Sequence, residues 1–370
     1  MTLDLNLLPD GGMSWLDASG PDSNIVLSTR VRLARNLQGM AFTVRAKQAD
    51  LDAVLDQVTE AGRQMPILRD AALFRLDQMD RVERQLLHER HMVSRELAGL
   101  ERSRPVRHAA ALLTNGDLAV MINEEDHLRL QSLQSGFGLS RAYAEIERLD
   151  SELGARVAVA FHPEFGYLTA CPTNAGTGLR ASVLIHLPGL VLTKEIAKVL
   201  QGLSQVGLTF RGLYGEGSEV VGNFFQLSNQ TTLGKSEEEL LDHLGKMVQQ
   251  VVDYEEQARA ILQREAPAVI ADKVWRAYGL LRYARSLSFE ETMNLLSGVR
   301  LGVGLNLIPQ LSVYTLNKLL IFTQPAHLAQ REGRALSDPE LPIFRASYVR
   351  RLLESDAARR GSGGGDAARH

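Results

Sequence analysis

A single cysteine, Cys171, stands in 370 residues, so no intrachain disulfide can form and no cysteine cluster can hold zinc. Such usage points to a reducing, cytoplasmic setting. Long apolar runs are missing too: none approaches the roughly 20 residues that cross a bilayer. The start, MTLDLNLLPDGGMSW, has neither a basic n-region nor a continuous apolar stretch, so an exported or membrane-embedded protein is not expected. There is no excess of either charge, because 41 Lys+Arg against 44 Asp+Glu leaves −3, and no global basic field draws nucleic acid. Two familiar phosphate-handling signatures are absent. The GKS at 234–236 resembles the end of a P-loop, but Asn229 stands where that loop needs glycine, and no HRD or DFG triplet occurs.

What is present is 45% hydrophobic, enough to bury the cores of two domains. Between residues 24 and 235 the pattern favours strands: 108–113, 118–123, 156–161, 167–170, 181–188, 206–210 and 223–228. Asn115-Gly116-Asp117 between the first two is a hairpin signal, since Asn and Gly tolerate positive φ. Helices are expected over 48–63, around 126–149 and over Thr193–Leu203. The longest begins at Ser236, with Glu239 completing a capping box, and runs along Leu240, Leu244, Met247 and Val251 until Pro267. Only helices follow: roughly 272–285, 288–300 behind Ser288/Glu291, 312–322, and one capped by Ser337 with Glu340. Gly298, Gly302 and Gly304 suit a helix end or close helix packing. The expected division is an extension over 1–23, an α+β domain over 24–264 with a largely antiparallel sheet flanked by helices, an all-helical domain over 265–358 and a disordered tail over 359–370.

Five segments stand out: STRVR (28–32), NEEDHLR (123–129), CPTNAGTGLRAS (171–182) and RGLYGEGSE (211–219), which carry arginine or carboxylate, and QLSNQTTLG (226–234), which is polar without either. Arginine is suited to a phosphate chain, because its planar fork gives paired hydrogen bonds and does not deprotonate. Arg30 and Arg32, two apart in an extended segment, project from one face; Arg129, Arg180 and Arg211 come from the other segments. A guanidinium acceptor needs the opposite: carboxylates that orient it and draw off a proton. Glu124, Glu125 and Asp126 follow a strand, and on an extended segment only one of Glu124 and Glu125 faces a substrate. Glu216 lies in the Gly212–Gly217 stretch, whose glycines suit a closing lid.

Four of the five segments resemble, in order and spacing, the signatures of the ATP:guanidino phosphotransferases, the phosphagen kinase superfamily. Within it the chain is most similar to the bacterial protein arginine kinases, the McsB family. The resemblance implies that Arg30, Arg32, Arg129, Arg180 and Arg211 bind ATP phosphates, together with Ser28, Thr29, Val31, Ala181, Ser182, Val183, Leu184, Gly212, Leu213, Tyr214 and Gly215. It implies Glu125 as the base, Glu124 beside it, Asp126 nearer a metal-bound water, Glu216 clamping the guanidinium and Cys171 bordering it. His91 matches a histidine near the adenine, whereas Leu184 replaces a second one. ATP and Mg2+ are the implied cofactors, the metal carried by the nucleotide.

Phosphagen kinases acting on small guanidines carry a helical domain before the first arginine motif. Here 27 residues precede Ser28 and about 100 helical residues follow the core, the arrangement of the protein arginine kinases. An arginine on a polypeptide is therefore the expected acceptor. A kinase for free arginine is the runner-up, and a non-catalytic phosphoarginine-binding adaptor the third reading. The resemblance further implies an McsA-like activator, the ClpC–ClpP protease and a heat-shock repressor as partners in a stress response, and leaves room for a homo-oligomer. Relatives with phosphoarginine-dependent allostery read Arg-Asp-x-x-Arg-Ala where this chain has Leu341-Pro342-Ile343-Phe344-Arg345-Ala346. The Arg-Asp half is missing.

Overall fold

The computed structural model describes residues 13–101, 105–213 and 220–363. From the N-terminus it runs β1 (Val26–Arg35), α1 (Gln48–Gln64), β2 (Ala72–Arg75), α2 (Arg81–Glu89), β3 (Ala111–Thr114), β4 (Leu118–Ile122), β5 (Leu128–Ser135) and α3 (Leu139–Gly154). A two-residue hairpin of β6 (Phe161–His162) and β7 (Gly166–Tyr167) precedes β8 (Leu179–His186), α4 (Pro188–Leu192), α5 (Ile196–Gln205), β9 (Leu208–Arg211) and β10 (Phe224–Asn229). Helices alone complete it: α6 (Glu237–Glu265), α7 (Pro267–Tyr283), α8 (Phe289–Gly304), α9 (Val313–Phe322), α10 (Pro325–Glu332) and α11 (Leu341–Gly363). The architecture is α+β, with one antiparallel eight-stranded sheet ordered β2-β3-β4-β5-β1-β8-β10-β9.

The two faces of this sheet differ because side chains alternate along each strand. Val31, Leu33, Leu130, Ala181, Val183 and Leu227 share one face by register. Against them pack Leu51, Val54 and Val58 of α1, Ile146 and Leu149 of α3, and Leu240 and Leu244 of α6. Each such side chain contributes roughly 1.5–3 kcal/mol by leaving water. The opposite face carries Ser28, Arg30 and Arg32 of β1 and is polar at the centre of the sheet.

Helix starts follow their caps. Ser236 Oγ accepts from Glu239 N while Glu239 reaches back to Ser236 N, and Asp80 with Glu83 does the same for α2. The Asn115–Gly116 hairpin forms with Gly116 at φ +112°, and Asp117 at its tip accepts from Ser14 Oγ. Gly298 packs on Ala277, and a Cβ on Gly302 would lie 2.3 Å from Val274 Cγ1, so these glycines do serve close packing of α7 on α8.

Several expectations are corrected. Residues 126–149 are not one helix: β5 and α3 share that window, separated by Gly136 at φ +62°. The strands expected at 156–161 and 167–170 shrink to the β6–β7 hairpin, outside the main sheet, with Phe161 exposed. Lys194 at φ +64° divides the expected Thr193–Leu203 helix from what precedes it, so α4 ends before it and α5 begins at Ile196. Strand β2 and helices α2 and α10 were not anticipated. At the C-terminus α11 continues to Gly363, into the segment expected as tail. Within the expected N-terminal extension, Trp15 and Leu16 are buried against Leu133 and Ile321. No helix among the described residues is long and apolar enough to cross a membrane.

Glycine geometry yields a comparison. A Cβ on Gly136 would meet Pro21 O at 2.3 Å at a positive φ, whereas Gly39 at φ +77° has open space around it. Gly39→Ala is expected to lower unfolding free energy by about 1 kcal/mol, from strain alone, and Gly136→Ala by about 3 kcal/mol or more. Urea unfolding of both variants checks the difference.

Candidate active site

Cross-strand register assembles the arginines. Arg32 lies directly opposite Arg180, Arg30 opposite Ser182, and Arg129 opposite Ala34, all on the polar face. Arg211 of β9 stands opposite Gln226 at the far edge of the same face. Neither Arg30 nor Arg32 is ion-paired with a carboxylate among the described residues. Burial, then Arg180 and Arg129, push Arg30 down to about 10, and burial with Arg30, Arg129 and Arg180 lowers Arg32 well below the ordinary arginine value. Arg32 Nε is buried without a hydrogen-bond partner. Like charges gathered this way, with solvation removed, favour an incoming polyanion.

The pleat also corrects four expected nucleotide contacts. Thr29, Val31, Ala181 and Val183 point to the helix-covered face: Val31, Ala181 and Val183 belong to the main core, and Thr29 Oγ1 donates to Gly136 O at 2.7 Å. Consecutive residues of a strand cannot all face one ligand. Leu184, Ser28 and Ser182 do lie on the arginine side, where they line a cleft with Arg30, His91 and Leu213. Gly212 follows β9. Tyr214, Gly215 and Glu216 lie outside the described residues.

His91 enters that cleft from the turn after α2, at φ +60°. Trp15 meets its ring edge-on at 5.4 Å, and Gln131 Nε2 donates to its carbonyl at 3.0 Å. Burial, with Arg30 and His88 adding to it, drives its pKa well below the ordinary value, so the ring is neutral.

Beside the arginines lie the carboxylates. Asn123, at φ +60°, turns the chain sharply, its side chain donating to Leu51 O and Ala109 O at 3.0 Å each. Glu124 to Asp126 are therefore a bend and not an extended segment. Glu124 and Glu125 both reach Arg129, at 2.8 and 3.4 Å, so the expectation that they point opposite ways does not hold. They differ in access: the Glu124 side chain is 1% exposed and that of Glu125 33%. Burial raises the Glu125 pKa, Arg129 opposes the rise, and Asp126 and Glu124 add to it.

Asp126 is fully buried. Its Oδ1 accepts from Asn36 Nδ2 and from Ala170 N, both at 2.6 Å. Asn36 also accepts from His127 N and donates to Leu168 O, so one buried asparagine ties β1 to both loops of the site. Cys171 follows Ala170 and is half-exposed, with Sγ 3.0 Å from Thr173 Oγ1. Asn174 Nδ2 reaches Glu125 Oε2 at 3.4 Å. The cysteine turn is thus fastened at one end to Asp126 and at the other to Glu125. Asn36, Gln131 and Trp15 were missed by sequence reasoning, and Gln226 was noted only as the first residue of the QLSNQTTLG segment, without a role.

Residues 53–258 match the family model for the ATP:guanido phosphotransferase C-terminal catalytic domain, and residues 267–362 that for the protein-arginine kinase McsB C-terminal domain. The chain is 44% identical to a protein-arginine kinase of Symbiobacterium thermophilum, over 92% of this chain and 96% of that one. It is 40% identical to a protein-arginine kinase of Bacillus subtilis, over 94% and 95%. Among solved structures it resembles a lombricine kinase, with TM-score 0.58, 25% identity and coverage of 70% and 71%. It also resembles the substrate-free duplicated taurocyamine kinase of Schistosoma mansoni, with TM-score 0.55, 27% identity and coverage of 74% of this chain and 42% of that one. With an arginine cluster beside an accessible carboxylate, and matched nearly end to end by protein-arginine kinases, the chain belongs to the protein-arginine kinase family of ATP:guanido phosphotransferases.

Proposed function

We propose that the chain transfers the γ-phosphate of ATP to the guanidinium of arginine residues in polypeptides, giving phosphoarginine and ADP. The observation that carries this reading is the half-buried set Arg30, Arg32, Arg129 and Arg180 on one face of the sheet, in which neither Arg30 nor Arg32 is ion-paired with a carboxylate among the described residues, next to the half-buried Glu125. In this scheme the arginines hold the phosphate chain and offset charge that builds in transfer. A guanidinium nitrogen bonds to the γ-phosphorus as the bond to the ADP oxygen breaks, and Glu125 takes the nitrogen's proton. Its raised pKa suits that task. Glu124 keeps Arg129 in place, Asp126 fixes the cysteine turn, and Cys171 borders the acceptor. Glu216 would close on the acceptor from the glycine-rich segment.

Magnesium fits as a passenger on the nucleotide. Two buried carboxylate oxygens, Glu124 Oε2 and Asp126 Oδ2, have no hydrogen-bond partner and would be satisfied by the waters of such an ion. When bound, the metal neutralises phosphate charge. The wider reading includes a cytoplasmic stress response with an McsA-like activator, a heat-shock repressor among the targets and ClpC–ClpP receiving marked proteins. In it residues 24–264 form the transferase unit and 265–358 a helical companion.

Glu125→Gln is expected to retain ATP affinity while lowering kcat by at least about 100-fold. The wild-type rate needs ionised Glu125, so it falls as pH drops through the raised pKa, with an acid limb above the ordinary glutamate range. Phosphoarginine detection at neutral pH, with an arginine-rich protein and with free arginine as alternative acceptors, measures both the loss and the acceptor class. Turnover of free arginine without protein phosphorylation would overturn the polypeptide assignment.

Arg30→Ala is expected to weaken ATP binding or transfer by about 2–4 kcal/mol. Because Arg30 sits among like charges, the same change should not lower the unfolding midpoint of the nucleotide-free protein. Calorimetric titration and thermal unfolding test the pair of outcomes.

The Leu341-Pro342 departure has a structural counterpart. Arg345 is buried, with Nε donating to Thr323 O at 2.8 Å and a terminal nitrogen to Leu287 O at 3.0 Å, while Pro342 O accepts from Leu287 N. The remaining arginine of that stretch is occupied in joining helices. Free phosphoarginine is therefore expected to leave the kinase rate unchanged across a micromolar titration, and stimulation would show that another pocket receives it.

A further inference from the structure

The turn that carries His91 is fastened to the C-terminal helices by a buried polar relay. Glu89, the last residue of α2, accepts from the backbone of Ala326 at 3.0 Å and of His327 at 3.2 Å, at the start of α10. His327 Nδ1 is 2.9 Å from the same carboxylate, and Arg90 Nε is 3.2 Å from His327 Nε2. Since arginine can only donate, Nε2 accepts and the proton resides on Nδ1, which donates to Glu89. Burial keeps His327 below the ordinary histidine range despite Glu89, so a neutral imidazole bridges an anion and a cation. Glu89, Arg90 and His327 are all buried. Ala326 also packs into the apolar cluster of Leu86, Leu87 and Met92 that surrounds the turn.

Two residues of this relay immediately precede His91. A histidine at φ +60° is in a backbone region that L side chains rarely adopt, and persists where its neighbours over-determine it. Glu89 and Arg90, fixed to α10, hold one side of the turn; Gln131, bonding to His91 O, holds the other. On the far side of α10 the chain continues the tie. Phe322 meets the His327 ring edge-on at 5.1 Å, and Arg345 of α11 grips Thr323 O.

We infer that His327 is a positioning residue for the nucleotide cleft: through Glu89 and Arg90 it sets where His91 stands against Arg30 and Leu184, so that the C-terminal helices govern ATP affinity. This rests on the reading that the cleft lined by His91 receives the nucleotide. Without the imidazole, Arg90 loses one acceptor and Glu89 one donor, and a buried charge with fewer partners shifts or draws in water. Because α10 touches neither Glu125 nor the cysteine turn through this relay, the effect should fall on ATP and spare the acceptor.

The test uses the full-length kinase with ATP and an arginine-rich protein. His327→Ala should raise KM for ATP by about tenfold, while kcat at saturating ATP and KM for the protein stay within about twofold. His327→Asn, which retains a donor toward Glu89, should recover part of the affinity and carries the comparison if the alanine variant does not fold. Leu328→Ala, in the same helix but facing the core of the C-terminal helices, controls for loss of stability. If it lowers the unfolding midpoint as much and raises KM for ATP as much, or if His327→Ala leaves that KM within twofold, the inference is overturned. His91→Ala separates the two layers. A raised KM there with none in His327→Ala rejects the relay and keeps the cleft, and no change in either rejects the nucleotide's placement and the inference with it.

Discussion

Concentrating guanidinium groups on one side of a β-sheet is costly, and the remainder of the catalytic architecture is arranged around that cost. Arg30 and Arg32 are two apart on β1, Arg180 is across the ladder on β8 and Arg129 is on β5, so the spacing of the strands decides how near the charges come. The other face must then supply the cohesion, and its predominantly aliphatic side chains do so under three helices. Glu124, buried and ion-paired with Arg129, offsets part of the arginine charge, and Glu125 and Asp126 add to that offset. On the proposed function, the phosphates of ATP complete the electrostatics of the fold.

Much of this was legible in the chain. Period-two spacing of Arg30 and Arg32 placed them on one face without any structure, and the Ser236 box marked the start of α6. Cross-strand neighbours were not legible, since Arg32 and Arg180 meet only through register, which no local pattern encodes. The window 126–149 misled because Leu128 and Leu130 alternate like a strand while Leu139, Ala142, Ile146 and Leu149 recur like a helix, and the intervening glycines carry the boundary. Helix α10 escaped because its buried positions include a histidine whose partner is Glu89, remote in sequence. Buried polar residues look like surface residues until the partner is known.

Within the site the same distinction separates roles. The bend at Asn123 delivers two adjacent glutamates to one arginine, yet access to solvent divides them, which is why the proposed function gives the base to Glu125. Asp126 shows the opposite fate of an acid in an acidic run: hydrogen-bonded to Asn36 and Ala170, it is scaffold. Chemical potency along NEED is set by burial, not by order in the chain.

The segment around Trp15 bears on when, in the life of a molecule, the enzyme becomes complete. Trp15 abuts His91, Leu16 O accepts from Asn317 Nδ2 and Ser23 O from Arg300, so the first residues of the described chain are clasped between the sheet and helices α8 and α9. Those helices leave the ribosome after every strand of the sheet. Contacts of such large sequence separation form late, and the nascent chain will hold its acidic bend and arginine strands well before its nucleotide wall is closed. On the proposed function, an emerging polypeptide would lack the wall of its nucleotide cleft until its final third has been made.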